Sequence, residues 1–265
     1  MQHVSTRQHW IDTPEGALFA QSWNSDEAYN PPIILLHDSL GCVALWRDFP
    51  ERLARATGRK VIAYDRLGFG RSAPYPGKLP GSFIADEARS GFRAVCEHFD
   101  VNRFVVLGHS VGGGMAVSCA AAFPGRCQGV ITESAQAFVE QATCDGIREA
   151  ERQFALPGQM ERLHKYHGDK AYWVLRAWVD TWLSDTFSDW RLDELLQQVR
   201  CPVLVLHGDR DEYGSTRQPE RIAARVSGPA SVQILANCGH VPHREFADAV
   251  LEVLCTFPPL RNRDT

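Results

Sequence analysis

Few features constrain a chain as strongly as Gly108-His109-Ser110-Val111-Gly112 placed directly after the apolar run Phe104-Val105-Val106-Leu107. A buried strand that turns sharply into a helix presents its apex side chain to substrate. A Cβ at either flanking glycine would collide with the neighbouring backbone. The next residues, Gly112-Gly113-Gly114-Met115-Ala116-Val117, are small and apolar, as a helix laid closely on a sheet requires. The N-terminus of that helix points N–H groups and the positive end of its dipole at the apex, where a negative oxygen would be stabilised. Ser110 is therefore the candidate nucleophile, and the N–H of Val111 a candidate oxyanion donor.

A nucleophilic serine needs a base, and the base needs an orienting acid. Val203-Leu204-Val205-Leu206-His207-Gly208 reads as a buried strand leading into Asp209-Arg210-Asp211-Glu212. Val232-Gln233-Ile234-Leu235 reads as the next, leading into Asn237-Cys238-Gly239-His240. Both candidates fall at the carboxyl end of a strand, the edge of a parallel sheet where sites assemble. Further strands end near His37, Asp65 and Glu133 and alternate with helical patterns over 45–57, 82–99, 110–122, 218–226 and 242–256. That βαβ rhythm predicts a doubly wound α/β fold, its mostly parallel sheet covered by helices on both faces.

With these residues in view the chain resembles the α/β-hydrolase superfamily over nearly all its length. Leu35-Leu36-His37-Asp38-Ser39-Leu40-Gly41 is similar to the family's oxyanion segment, and Tyr64-Asp65-Arg66-Leu67-Gly68-Phe69-Gly70-Arg71-Ser72 to its D-x-x-G-x-G-x-S loop. Gly208-Asp209-Arg210-Asp211 is similar to its acid loop and Gly239-His240 to its histidine loop. The resemblance implies an eight-stranded sheet, the chain order Ser, acid, His, and catalytic Ser110, Asp211 and His240. It implies Ser39 and Val111 as oxyanion donors, and no cofactor. Glu133, at the end of the sixth strand, is the alternative acid; Asp209, Glu212 and Asp185 read as solvated or capping residues. His243 reads as structural or pocket-lining, and His37, His109 and His207 as scaffold. The family usually has Gly where this chain has Asp38, whose short side chain is expected to turn away and hydrogen-bond locally. Facing the pocket instead, it would disfavour anionic substrates.

From about residue 135 to 190 the βαβ rhythm stops, at the position where this superfamily inserts a helical cap. The expected division is a core domain of 1–134 and 191–265 and a cap of 135–190. Ala171, Val174, Ala177 or Trp178, Thr181 and Trp182 recur at helical spacing. Most of the aromatics there (Trp173, Trp190, Phe138, Phe154, Phe187) read as packing anchors. Trp178 and Trp182, with Asp38 and Leu40 of the oxyanion segment, are the candidate substrate-binding residues, for a small molecule with an apolar part. Arg148, Arg152 and Arg176 read as surface residues. His164 and His167, spaced H-x-x-H with Asp169 nearby, read as a solvated face, and no metal is expected.

The net charge of −4 gives no basic face for nucleic acid or anionic lipid. Met1-Gln2-His3-Val4-Ser5 has neither a basic start nor an apolar core, so no signal peptide is expected. No apolar run reaches the roughly 20 residues that span a bilayer. The eight cysteines, set singly, with Cys119 and Cys255 in apolar runs, read as buried free thiols in a reducing cytoplasm. Nothing in the pattern opposes a homodimer. The expected reaction is hydrolysis of a small carboxylic ester or lactone through an acyl-enzyme. The alternatives are a C–C bond hydrolase or thioesterase of the same fold, or a low-turnover binding or sensing protein. A serine at the apex argues against the haloalkane dehalogenase and epoxide hydrolase branches, which the chain resembles but which use an Asp nucleophile.

Overall fold

The central strands are uninterrupted apolar runs because both of their faces are covered, so successive side chains enter two different cores. In the computed structural model, which describes residues 4–25 and 30–261, the strands are β1 (Val4–Ile11), β2 (Leu18–Ser25), β3 (Ile33–Leu36), β4 (Val61–Tyr64), β5 (Phe104–His109), β6 (Cys127–Glu133), β7 (Val203–Gly208) and β8 (Ala230–Leu235). They form one eight-stranded sheet in the order β1-β2-β4-β3-β5-β6-β7-β8. The pairs β1–β2 and β2–β4 are antiparallel and all others parallel. Ile34, Leu36, Val106, Val130, Val203 and Val205 enter one core, whereas Ile33, Leu35, Val105, Leu107, Ile131, Leu204 and Leu206 enter the other.

The helices are α1 (Phe49–Thr57), α2 (Phe83–Asp86), α3 (Gly91–His98), α4 (Val111–Ala122), α5 (Gln141–Phe154), α6 (Met160–His167), α7 (Ala171–Trp182), α8 (Asp193–Leu196), α9 (Arg217–Arg225), α10 (Pro242–Glu245) and α11 (Ala247–Thr256). Helices α1 and α11 close the second core; α2, α3, α4, α8 and α9 contribute to the first. The helix expected over 82–99 is broken at Ser90 (φ −108°, ψ −105°), where Gly91 packs against the Tyr64 ring and the Glu87 carboxylate. The helix expected over 242–256 is broken at Phe246, where Glu245 turns back to accept the N–H groups of Gly239 and Val241. Cys255 is exposed, not buried, because α11 packs through Val250 and Leu254 and leaves the following position outward.

Between β6 and β7 the chain makes a helical excursion, α5 to α7. It leaves and returns side by side: Phe138 and Arg191 form an antiparallel bridge, and Leu192 N–H donates to Ala137 C=O at 2.8 Å. The buried face of α7 is Ala171, Val174, Leu175, Val179 and Trp182, so Leu175 and Val179, rather than Ala177 and Thr181, complete the stripe. Trp173 stacks on Tyr75 and Trp190 on Phe187, aromatic anchors for a thin helical layer. No helix among the described residues is long and apolar enough to cross a membrane.

Candidate active site

Ser110 sits between β5 and α4 with φ 55° and ψ −124°, a conformation that costs a residue with a Cβ about 1–3 kcal/mol. The surrounding backbone enforces it. Ser110 N–H donates to Glu133 C=O at 2.8 Å, and Gly113 N–H donates to Ser110 C=O at 2.8 Å. A Cβ on Gly108 would lie 1.9 Å from Gly112 O, and one on Gly112 would lie 2.2 Å from Leu36 O. The bare glycines therefore let the turn press against itself and against the end of β3. Val111 opens α4, so its N–H has no acceptor within the helix.

The loops after β7 and β8 bring Asp211 and His240 together. His240 Nδ1 donates to Asp211 Oδ1 at 2.8 Å, with Oδ2 at 2.9 Å, and Tyr213 N–H also donates to Oδ1, at 2.8 Å. The Asp211 side chain is fully buried. Burial alone would raise its carboxyl, but the His240 charge and these hydrogen bonds overcome that and hold it below the ordinary value. Burial likewise opposes a charged His240, yet Asp211, with Glu212 and Asp38 beyond it, holds the imidazole above its ordinary value. The two shifts agree in direction, as a carboxylate–imidazole pair requires. The Ser110 hydroxyl is hydrogen-bonded to Gln136 Oε1, at 3.5 Å.

A second buried pair lies beneath the first. Glu133 does not meet His240; its Oε2 accepts His243 Nδ1–H at 2.8 Å, and its Oε1 accepts the His243 backbone N–H. Burial would raise the Glu133 carboxyl, but His243 and then His109 outweigh it and hold it below the ordinary carboxylate value. His109 is pushed down to about 4, foremost by burial, and its Nε2–H donates to His240 C=O at 2.8 Å. Glu133 and His109 thus tie the histidine loop to the turn that carries Ser110. Losing hydrogen bonds to a buried carboxylate costs about 2 kcal/mol, so Glu133→Gln is expected to lower Tm by roughly 4–8 °C and kcat less than threefold. Because its folded-state pKa is depressed, this contribution holds at neutral pH and is lost as pH falls through that value. Thermal melts at pH 7 and pH 4 check both points; an unshifted Tm at pH 7 would contradict them.

The candidate oxyanion segment is held through its main chain, by the His37 side chain within it and by Arg66 beyond it. His37 Nδ1–H donates to Asp38 C=O at 2.8 Å, and His37 Nε2 accepts Arg66 N–H at 3.2 Å. The same Asp38 carbonyl takes Arg66 Nη2–H at 2.9 Å and Gly41 N–H at 3.2 Å. The local donors are thereby spent on the main chain. Among the described residues the Asp38 carboxylate does not make the expected local hydrogen bond; the residue borders the cavity, its Oδ1 set over the bare Cα of Gly41, where a Cβ would come within 1.9 Å, and 4.0 Å from His109 Nδ1. His207 donates through Nε2 to Gly214 C=O at 2.9 Å, behind Asp211.

Ser110, His240, Ser39, Leu40 and Asp38 open on one cavity of about 210 Å³. Trp178 and Trp182, one turn apart on α7, form part of its wall, as do Thr143 and Ile147, one turn apart on α5. Gln136, Tyr213, Glu212 and Val241 complete it, and none of these was singled out for substrate contact from the sequence. Tyr213 and Val241 immediately follow residues of the Asp211–Glu212 and His240 loops, and the 143/147 spacing was a readable signal. The Tyr213 ring stands edge-on to His240, 4.7 Å between centroids. Glu212, read as solvated, is exposed but borders the cavity. Arg148, Arg152 and Arg176 pair instead with acidic residues on the outer helix surfaces, and Asp185 and Asp209 are exposed. His164 is at the surface, but His167 is buried, not solvated. No group of three or more His, Cys, Asp or Glu among the described residues is arranged to hold a metal.

A sequence model of the alpha/beta hydrolase fold family matches residues 31–163, and the chain belongs to that family. It is 26% identical to the human serine hydrolase BPHL over 194 residues, 71% of this chain and 65% of that protein. It is 30% identical to the proline iminopeptidase of Lactobacillus helveticus (strain DPC 4571) over 92 residues, 35% of this chain and 31% of the relative. The chain therefore spans less than two thirds of either protein. The 2-hydroxy-6-oxo-6-phenylhexa-2,4-dienoate hydrolase of Rhodococcus sp. strain RHA1 shares the fold, with a TM-score of 0.75 at 20% identity over 96% of this chain and 98% of that one.

Proposed function

We propose that the protein is a serine hydrolase that cleaves small carboxylic esters or lactones through an acyl-enzyme on Ser110. The observation that carries this reading is the meeting, at one cavity, of a serine on a strained strand–helix turn and a histidine backed by a buried carboxylate. Family membership supports an enzyme. The Ser110 hydroxyl turns from Gln136 to His240 Nε2 and gives up its proton as its Oγ attacks the carbonyl carbon. Asp211 keeps the proton of neutral His240 on Nδ1 and stabilises the imidazolium that forms. The N–H groups of Val111 and Ser39 receive the oxyanion, each donor worth on the order of 3 kcal/mol of barrier. His240 protonates the leaving oxygen, and water then takes the same route to release the acid. Residues 135–190 form the cap, with Trp178 and Trp182 as the apolar wall that receives the acyl or ring portion.

The cavity limits the substrate in size and charge. About 210 Å³ suits a small ester. Asp38 and Glu212 border the cavity, and no Lys or Arg does so among the described residues. A carboxylate-bearing substrate therefore meets like charge in a confined space. The 4-nitrophenyl ester of butyric acid is expected to exceed the mono-4-nitrophenyl ester of succinic acid in kcat/KM by at least tenfold. Asp38→Asn and added salt are both expected to narrow the gap. Equal rates for the two esters would remove the charge argument, and failure to cleave any ester in an acyl and aryl series would remove the ester reading.

A further inference from the structure

His167, the last residue of α6, is buried at 2% exposure and spans two core loops. Its Nδ1 faces Gly70 N–H at 2.9 Å, and its Nε2 faces Leu40 C=O at 3.0 Å. The first partner is a backbone N–H, which can only donate, and the second a carbonyl, which can only accept. The ring is therefore neutral, with its proton on Nε2. Leu40 borders the cavity and directly follows Ser39. The other ties on this segment come from the core: Arg66 and His37 on Asp38 C=O, and Asp65 Oδ1, which accepts Val43 N–H at 2.6 Å. Lys170, one turn beyond His167, donates to the carbonyls of Gly70 and Ser72 at 2.8 and 2.7 Å. The helical excursion thus clasps the 65–72 loop twice, but it holds the Leu40 carbonyl through His167.

We propose that His167 is a positioning residue for the oxyanion segment, so that the helical excursion sets the place of the Ser39 donor. This rests on the hydrolase reading above. His167 touches no reacting atom; it fixes the Leu40–Gly41 peptide, while the peptide that carries Ser39 N–H is held at its own Asp38 carbonyl by His37, Arg66 and Gly41, so that the two ends of the Ser39–Leu40 stretch are pinned, one by the core and one by the excursion. The excursion is then part of the machinery that receives the developing charge as well as a wall of the cavity.

The test compares His167→Leu, which keeps the bulk and removes both hydrogen bonds, with His167→Gln, whose amide can accept from Gly70 and donate to Leu40. On a neutral 4-nitrophenyl ester, His167→Leu is expected to lose tenfold to a hundredfold in kcat with KM changed less than threefold. Affinity for an aryl boronic acid, which forms a tetrahedral adduct, should fall by a similar factor. His167→Gln should recover most of both. Deuterium exchange of the peptide covering residues 37–43 should rise in His167→Leu and return toward wild type in His167→Gln. Wild-type kcat in a folded His167→Leu, or a loss confined to KM, overturns the proposal. If the wild type neither cleaves esters nor reacts with a fluorophosphonate at Ser110, the hydrolase reading has failed instead. Exchange over 37–43 then still decides the positioning role: unchanged exchange overturns it, and faster exchange supports it.

Discussion

Ser110→Ala is expected to lower kcat on every cleaved ester by about 10⁴- to 10⁶-fold and to abolish labelling by a fluorophosphonate. In the proposed mechanism the loss is large because the oxygen removed is the atom that forms the new bond. His240 and the oxyanion donors are left to act on water, a combination that retains only a small part of the rate enhancement. Stability should barely change. The hydroxyl's hydrogen bond to Gln136 is long, at 3.5 Å, and the positive φ of residue 110 is imposed by backbone that alanine leaves in place. Tm should therefore move by no more than about 2 °C, less than the shift for 1 kcal/mol in a chain of this size. Residual activity above about one-hundredth of wild type, in protein free of wild-type contamination, would remove Ser110 from the chemistry.

Asp211→Asn is expected to cost about 10⁴-fold in kcat with little change in shape. Tyr213 N–H donates to Oδ1, so the amide of an introduced Asn settles with its oxygen at that position and its NH2 toward His240. That NH2 stands in place of Oδ2, 2.9 Å from His240 Nδ1; when Nδ1 accepts from it, the ring proton moves to Nε2 and the nitrogen needed as base is blocked, and a neutral amide no longer stabilises the imidazolium. The pH dependence follows from the same pair. His240 must be neutral to act as base, and its folded-state pKa lies above the ordinary value of about 6.5. Wild-type kcat/KM should therefore fall as pH drops through that raised value, and the residual activity of Asp211→Asn should fall at lower pH. Stability runs the other way in this window. The raised His240 contributes stability fully present below the unfolded-state value and lost as pH rises through the folded-state one. The depressed Asp211 contributes stability present above the ordinary carboxylate value and lost as pH falls through its folded-state value. The pair therefore stabilises most between those limits, while catalysis gains toward the alkaline side. An acid limb at the same pH in wild type and Asp211→Asn would contradict the assignment.

The parts of the fold visible in the sequence were those in which one segment carries its own signal. Strands β3 to β7 were readable because runs such as Ile33-Ile34-Leu35-Leu36 serve two cores and need apolar residues throughout. Strand β1, with exposed Arg7 and Gln8 on a half-covered edge, mixes polar and apolar residues and was not located, nor was its partner β2. The places of Ser110, Asp211 and His240 at strand ends were readable because each lies in the turn or loop after an apolar strand. The direction of Asp38 was not, because it depends on where His37, Arg66 and Gly41 spend their donors. His167 was misplaced for a similar reason: a polar stretch on one helix gives no sign that one of its residues will be buried against two distant loops.

The bridge between Phe138 and Arg191 makes the excursion a handle with a closed base. Because its two ends are fastened side by side, residues can be added or removed between them without disturbing strand register, and each doubling of length costs only about 0.6 kcal/mol in closure entropy. Natural or designed variation can therefore replace the handle wholesale and reshape what fits beneath it. On the role proposed for His167, any replacement still has to bring a hydrogen-bond donor to the carbonyl of Leu40.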